Sequence, residues 1–131
     1  MLSESIMLDK SKELAISIIE LCKEIMNDRR EYILTKQLIR SGTSVGANIH
    51  EAQYAQSRAD LISKLSIALK ECFESEYWLE LLYKTKYITD EKVYKKFLNN
   101  YGRVRRMLIA SITTNKKIRE KEMKREERWH W

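Results

Sequence analysis

Proline is absent from the chain, and glycine occurs only three times in 131 residues. Proline breaks helix interiors by removing a backbone donor, so no helix here is forced to stop early. Few turn-formers also argue against a β fold, and the high apolar share argues against disorder. Cysteine is scarce too: Cys22 and Cys72 stand alone, both at apolar positions of helical spacing. They read as buried thiols of a reducing compartment; a disulfide between them cannot be read from two residues. No run of about 18 apolar residues exists, so no membrane span is expected. The Met1-Leu2-Ser3-Glu4 start lacks a basic segment, and Ser17 and Glu20 interrupt the apolar stretch from Leu14 to Cys22. A secretory leader is therefore not expected, and a cytoplasmic location is.

What is present is amphipathic. Apolar residues make up 44% and charged residues 34%, a mixture suited to long helices in one domain. Helix one is expected from about Ser5 to Asn27, with Leu14, Ile18, Leu21, Cys22 and Ile25 as its inner stripe. Asp28 to Glu31 reads as a polar connection. Helix two is expected to begin at Thr35, a capping residue, with Leu34 and Ile39 as a hydrophobic staple. Its seam is Leu38, Gly42, Val45, Ile49 and Ala52. Helix three is capped by Ser57 with Asp60 three residues on, and ends near Tyr87. Leu61, Leu65, Ala68, Cys72, Ser75, Leu79 and Leu82 form its seam, widened by Ile62, Leu69, Phe73 and Tyr83. Helix four starts after Thr89, with Ile88 and Val93 as a staple and Asp90 and Glu91 favourably placed against the helix dipole. Val93, Phe97, Tyr101, Val104, Leu108 and Ile112 hold its seam. Short connections between long helices predict an all-α, up-down-up-down antiparallel four-helix bundle over residues 1–115. Residues 116–131 read as a charged, partly helical C-terminal extension with spaced pairs such as Glu120–Lys124, ending in Trp129-His130-Trp131.

The segment from Leu38 to Ala52 is the most informative. It keeps a helical apolar period although it is rich in Gly, Ser, Thr and Ala, and each Gly costs about 1 kcal/mol relative to Ala. Close approach of a neighbouring backbone is the expected compensation. Gly42-x-x-x-Gly46 fits either a helix crossing or a subunit contact, and it lacks the Lys of a phosphate-binding loop. Arg40, Ser44, Asn48 and Glu51 are expected as a structural polar set there, buried in the core or at a subunit contact. Buried, they must be hydrogen-bonded.

Catalytic and metal chemistry find no support. His50-Glu51-Ala52-Gln53-Tyr54 has Tyr where a zinc-protease helix needs its second His. Glu71, Glu74, Glu76 and Glu80 read as a solvated or salt-bridged face, with Glu76 set to meet Lys84 or an arginine of helix four. No Glu-x-x-His motif accompanies them, as a di-metal bundle requires. No metal, no cofactor and no enzymatic activity are expected.

Charge remains. The net charge is +6, and residues 103–131 hold all of it: 10 Lys+Arg against 4 Asp+Glu. Nucleic-acid binding needs clustered cations that displace counterions from phosphates. The candidates are Arg103, Arg105, Arg106, Lys116, Lys117, Arg119, Lys121, Lys124 and Arg125. The competing reading is a solubilising face, and a protein-interaction scaffold without a nucleic-acid role is the alternative function.

The run Gln37-Leu38-Ile39-Arg40-Ser41-Gly42-Thr43-Ser44-Val45-Gly46-Ala47-Asn48-Ile49-His50-Glu51, followed by Leu61 to Glu71, resembles the four helix bundle proteins encoded in intervening sequences of bacterial large-subunit ribosomal RNA genes. It is also similar to the accessory variability determinant of diversity-generating retroelements. The resemblance spans roughly residues 8–115. It implies a ring-like homopentamer and, from the retroelement members, binding to RNA and to a reverse transcriptase; for this chain RNA or DNA is the expected nucleic-acid partner. Gly46 stands where many relatives have Pro, and Gln53 where many have Gly; the second departure implies that helix two runs on to Gln56.

Overall fold

The computed structural model describes residues 2–129. Four helices account for nearly all of them: α1 (Leu2–Arg29), α2 (Ile33–Ala52), α3 (Arg58–Lys84) and α4 (Glu91–Trp129). Each packs against its neighbour in sequence, and α1 closes on α4 along a thinner seam, while diagonal pairs make no close backbone approach. This is the antiparallel four-helix bundle expected from the sequence, with no strand among the described residues.

The anticipated stripes form the core. Ile18, Cys22, Leu38, Val45, Leu65, Ala68, Leu79, Tyr101 and Leu108 are fully or almost fully buried. Each large apolar side chain so removed from water contributes about 1.5–3 kcal/mol. Two expected seam members lie outside the core: Phe73 and Val93 are exposed. Phe73 sits on the outer flank of α3 under the Arg105 guanidinium, 5.2 Å from its ring centroid. The seam of α4 thus begins at Phe97, and the Ile88–Val93 staple is absent as a buried pair.

Helix ends differ from expectation for physical reasons. Thr35 does not cap α2. Glu31 does: its carboxylate accepts the backbone N–H groups of Ile33 (3.0 Å), Leu34 (2.9 Å) and Thr35 (2.9 Å). Thr35 instead donates its hydroxyl back to the Glu31 carbonyl at 2.8 Å. Burial opposes the charge on Glu31, but the three backbone donors outweigh it and hold its pKa below the usual carboxylate value. At the other end α2 stops at Ala52, short of Gln56, and the chain turns through Gln53 and Tyr54. Ser57 caps α3 as read, accepting the Asp60 N–H at 3.0 Å. α3 ends at Lys84 rather than Tyr87, because Lys86 adopts a left-handed φ of 67° and reverses the chain. Arg30 does the same after α1 with φ 54°. The Arg29 guanidinium joins these two reversals by donating to the Lys86 carbonyl at 2.9 Å.

Small residues let α2 approach α1. A β-carbon on Gly46 would lie 3.1 Å from Ser11 Oγ, and one on Gly42 would lie 3.0 Å from Ile18 Cγ2 and 3.1 Å from the Tyr101 hydroxyl. Gly42 and Gly46 therefore serve a helix crossing within the chain. Across α2 and α3, the Ser41 and Ser75 hydroxyls share a 2.9 Å hydrogen bond.

Candidate nucleic-acid interface

α4 is the longest helix, 39 residues or about 58 Å. Asp90 Oδ1 accepts the Lys92 N–H at 2.9 Å and starts it. Its inner stripe seats it on the bundle as far as Asn115, which is itself buried. Asn115 Oδ1 accepts from Arg58 at 2.8 Å, and the second guanidinium nitrogen of Arg58 meets Glu122 at 3.1 Å. Arg58 thus ties the first turn of α3 to the part of α4 that leaves the bundle. From there α4 continues as one unbroken helix to Trp129, so the described part of the extension is helical throughout. His130 and Trp131 lie outside the described residues; Trp129 is exposed.

The outer face of α4 carries charge of one sign. Lys92, Lys96, Arg103, Arg106, Lys117, Lys121, Lys124 and Arg128 follow one another at spacings of three, four, seven or eleven, which places them on one side of a 3.6-residue helix. All are exposed. The helix's glutamates fall on other sides: Glu91 pairs with Lys95 at 3.0 Å and Glu122 with Arg58, while Glu120 and Glu127 lie on one flank and Glu126 on the opposite side. Among the described residues, Arg103, Arg106, Lys117, Lys121 and Lys124 have no carboxylate within ion-pair distance, so the anticipated Glu120–Lys124 pair is not formed.

The sequence-derived cations divide accordingly. Arg103, Arg106, Lys117, Lys121 and Lys124 share the outer face, and Arg125 borders it. Lys116 and Arg119 are exposed on other sides of the extension. Arg105 turns inward and grips Glu76 of α3 through Nε (2.9 Å) and a terminal nitrogen (3.0 Å), so its charge is matched within the chain. Lys92 and Lys96 join the face although sequence reasoning missed them. Their helical register with Arg103 was the available signal, but counting charge by segment hid it. A groove of about 230 Å³ between α1 and α4 brings Lys10 beside Lys96 and Arg103, with Glu13 the acidic exception.

Arg40, Ser44, Asn48 and Glu51 lie elsewhere, along the α2–α3 edge; of the two expected placements, core or subunit contact, they do not occupy the core. Arg40 and Glu51 are half exposed or more. Arg40 spans Glu71 (3.4 Å) and Glu74, and Glu51 meets Lys64 at 3.3 Å. The Ser44 hydroxyl donates to the Arg40 carbonyl (2.6 Å), and Asn48 donates to the Ser44 carbonyl (2.8 Å). Helical spacing brought these polar groups together, but they satisfy α2 itself and clamp it to α3.

Burial pushes both cysteine thiols up to about 12, far from reactive thiolate. His50 is exposed and lies tilted against Tyr54, with ring centroids 5.4 Å apart. No group of three His, Cys, Asp or Glu side chains among the described residues is placed to hold a metal ion. No described helix is long and apolar enough to cross a membrane.

Comparison with known proteins fits this architecture. A crystal structure of a protein of unknown function from the S23 ribosomal protein family of Bacteroides thetaiotaomicron is 49% identical, with a TM-score of 0.82. The match covers 85% of this chain and 98% of that one. No curated protein matches the sequence. The family of 23S rRNA-intervening sequence proteins matches residues 3–110, ending just before the extension. On the strength of that span and of the shared bundle, the chain belongs to the 23S rRNA-intervening sequence protein family.

Proposed function

We propose that the protein is a non-catalytic, cytoplasmic nucleic-acid-binding or adaptor protein that engages phosphates through the outer face of α4, with RNA as its favoured ligand. One observation carries this reading: over the length of α4, the solvent-facing stripe holds lysine and arginine and none of the helix's glutamates. Cations so arranged release condensed counterions together when they meet a phosphate backbone. The lean toward RNA comes from the family, whose name includes 23S rRNA. Self-association, as a pentamer by the resemblance, would repeat the stripe and turn weak single contacts into avidity. A reverse transcriptase or other protein would then be a partner of the same particle.

The test is a binding titration with a short RNA at several salt concentrations. Affinity should fall steeply with salt, and deletion of residues 116–131 should flatten the dependence. Binding that is absent or independent of salt would end this reading.

A second reading, a protein-interaction scaffold, draws on the exposed Phe73, Tyr77 and Trp129. Proteins that co-purify from nuclease-treated cells and disappear on Trp129→Ala and Trp131→Ala substitution would favour it.

A further inference from the structure

The cationic stripe is interrupted. Residues 107–115 of α4 carry no charge at all. Leu108, Ile112 and Asn115 of this stretch are buried against the bundle, whereas Ala110, Thr113 and Thr114 are exposed on the outside. A window without charge on α4 therefore separates Arg103 and Arg106 from Lys117 and Lys121; on one side Ala110 and Thr114 line a groove of about 270 Å³ shared with Glu4 and Met7 of α1, and the exposed Ile109 lies at the other edge. At 1.5 Å per residue, Arg106 and Lys117 stand about 16 Å apart along the axis.

Deepening the nucleic-acid reading above, on which it rests, we propose that this face lies across the shallow minor groove of double-stranded RNA. Arg103 and Arg106 meet one phosphate wall, and Lys117 and Lys121 meet the other. Ala110, Thr113 and Thr114 face the floor, where threonine hydroxyls meet 2′-hydroxyls.

Three features of the molecule select this ligand. First, Leu108, Ile112 and Asn115 seat α4 on the bundle along this window, so only its outward side protrudes. That side cannot reach the floor of a B-DNA major groove about 8.5 Å deep, and a B-DNA minor groove about 6 Å wide is narrower than a helix. The minor groove of A-form RNA is wide and shallow and displays 2′-hydroxyls. Second, single strands are held by stacking on aromatic side chains. The exposed Phe73 and Tyr77 belong to α3 and Tyr54 to the α2–α3 turn, while Trp129 stands at the far end of α4. Third, α4 is an unbroken helix across the window, so both cation pairs are pre-positioned before binding.

Fluorescence anisotropy with three probes of equal length and sequence tests the proposal: duplex RNA, duplex DNA and single-stranded RNA. Duplex RNA should bind at least tenfold tighter than the other two at the same salt. Ala110→Leu adds bulk without charge at an exposed helical site. It should weaken duplex RNA binding about tenfold and leave the salt dependence unchanged, with folding confirmed by circular dichroism. Equal affinity for the three probes, tighter binding of the single strand or of DNA, or wild-type behaviour of Ala110→Leu would overturn the groove assignment while leaving phosphate binding intact. Absence of salt-dependent binding to any probe would overturn both.

Discussion

The Tyr101 hydroxyl rests against Gly42: a β-carbon on that glycine would lie 3.1 Å from the phenolic oxygen and 3.0 Å from Ile18 Cγ2. Tyr101 and Ile18 are both fully buried, so neither can yield without disturbing the core. Gly42→Ala gains about 1 kcal/mol of helix propensity but forces overpacking that costs about 1–3 kcal/mol. A net loss of stability in denaturant unfolding is expected. Gly46→Ala should also lose stability, though less than Gly42→Ala: the added carbon meets only Ser11, whose buried hydroxyl donates to the Leu8 carbonyl at 2.7 Å and must shift by a few tenths of an ångström. Tyr101 Oη has no well-formed hydrogen bond and only a loose polar neighbour in Ser75. Tyr101→Phe should thus be neutral or stabilising by up to about 1 kcal/mol, and should reduce the cost of Gly42→Ala. Additive single and double variants would show that the two residues do not press on each other.

Arg105 and Arg106 are adjacent, yet they should behave differently. Arg105 makes a two-point contact with Glu76, and both side chains are largely shielded from solvent. Arg105→Gln is expected to destabilise the fold by about 1–3 kcal/mol, while RNA affinity at a temperature where the variant is folded stays close to wild type. Arg106→Gln should leave stability within about 0.5 kcal/mol and weaken binding. Thermal unfolding and binding assays on the same two preparations separate the roles.

Glu31 should give stability a dependence on acid pH. Its folded pKa lies below the ordinary value of 4.5, so its contribution is fully present above that value and disappears as pH falls through the folded pKa. Glu31→Gln retains one acceptor oxygen but no charge. It should cost about 1 kcal/mol at neutral pH, and the difference from wild type should shrink as pH drops below about 4.5. Urea unfolding of both proteins across a range from about pH 3 to about pH 7 measures this; a constant difference would show that the charge does not contribute.

The inner architecture was legible because helical seams leave a period in the sequence. Leu38, Val45, Ile49, Leu65, Leu79 and Leu108 were placed correctly by spacing alone. Helix ends were less legible because the usual markers are missing. Lys86 and Arg30 take left-handed conformations where glycine is the common choice, and Glu31 caps from outside the helix where Thr35 offered the more familiar signal. For the polar set Arg40, Ser44, Asn48 and Glu51, residue type left core and subunit contact open, since one register position decides between core and edge; the structure puts them at the edge. On α4, segment charge located the basic region, but only register shows that Arg105 faces Glu76 and that Lys96 faces outward with Arg103.

The central claim is tested most directly by the salt dependence of RNA binding in a variant with Arg103, Arg106, Lys117 and Lys121 all changed to Gln, set beside Arg105→Gln. Removing one phosphate-binding cation should lower the slope of log K against log salt by about 0.7–0.9. The fourfold variant should therefore show a slope smaller by about three units, and Arg105→Gln should keep the wild-type slope. Equal slopes for the wild type and the fourfold variant would contradict the assignment of this face to phosphate binding.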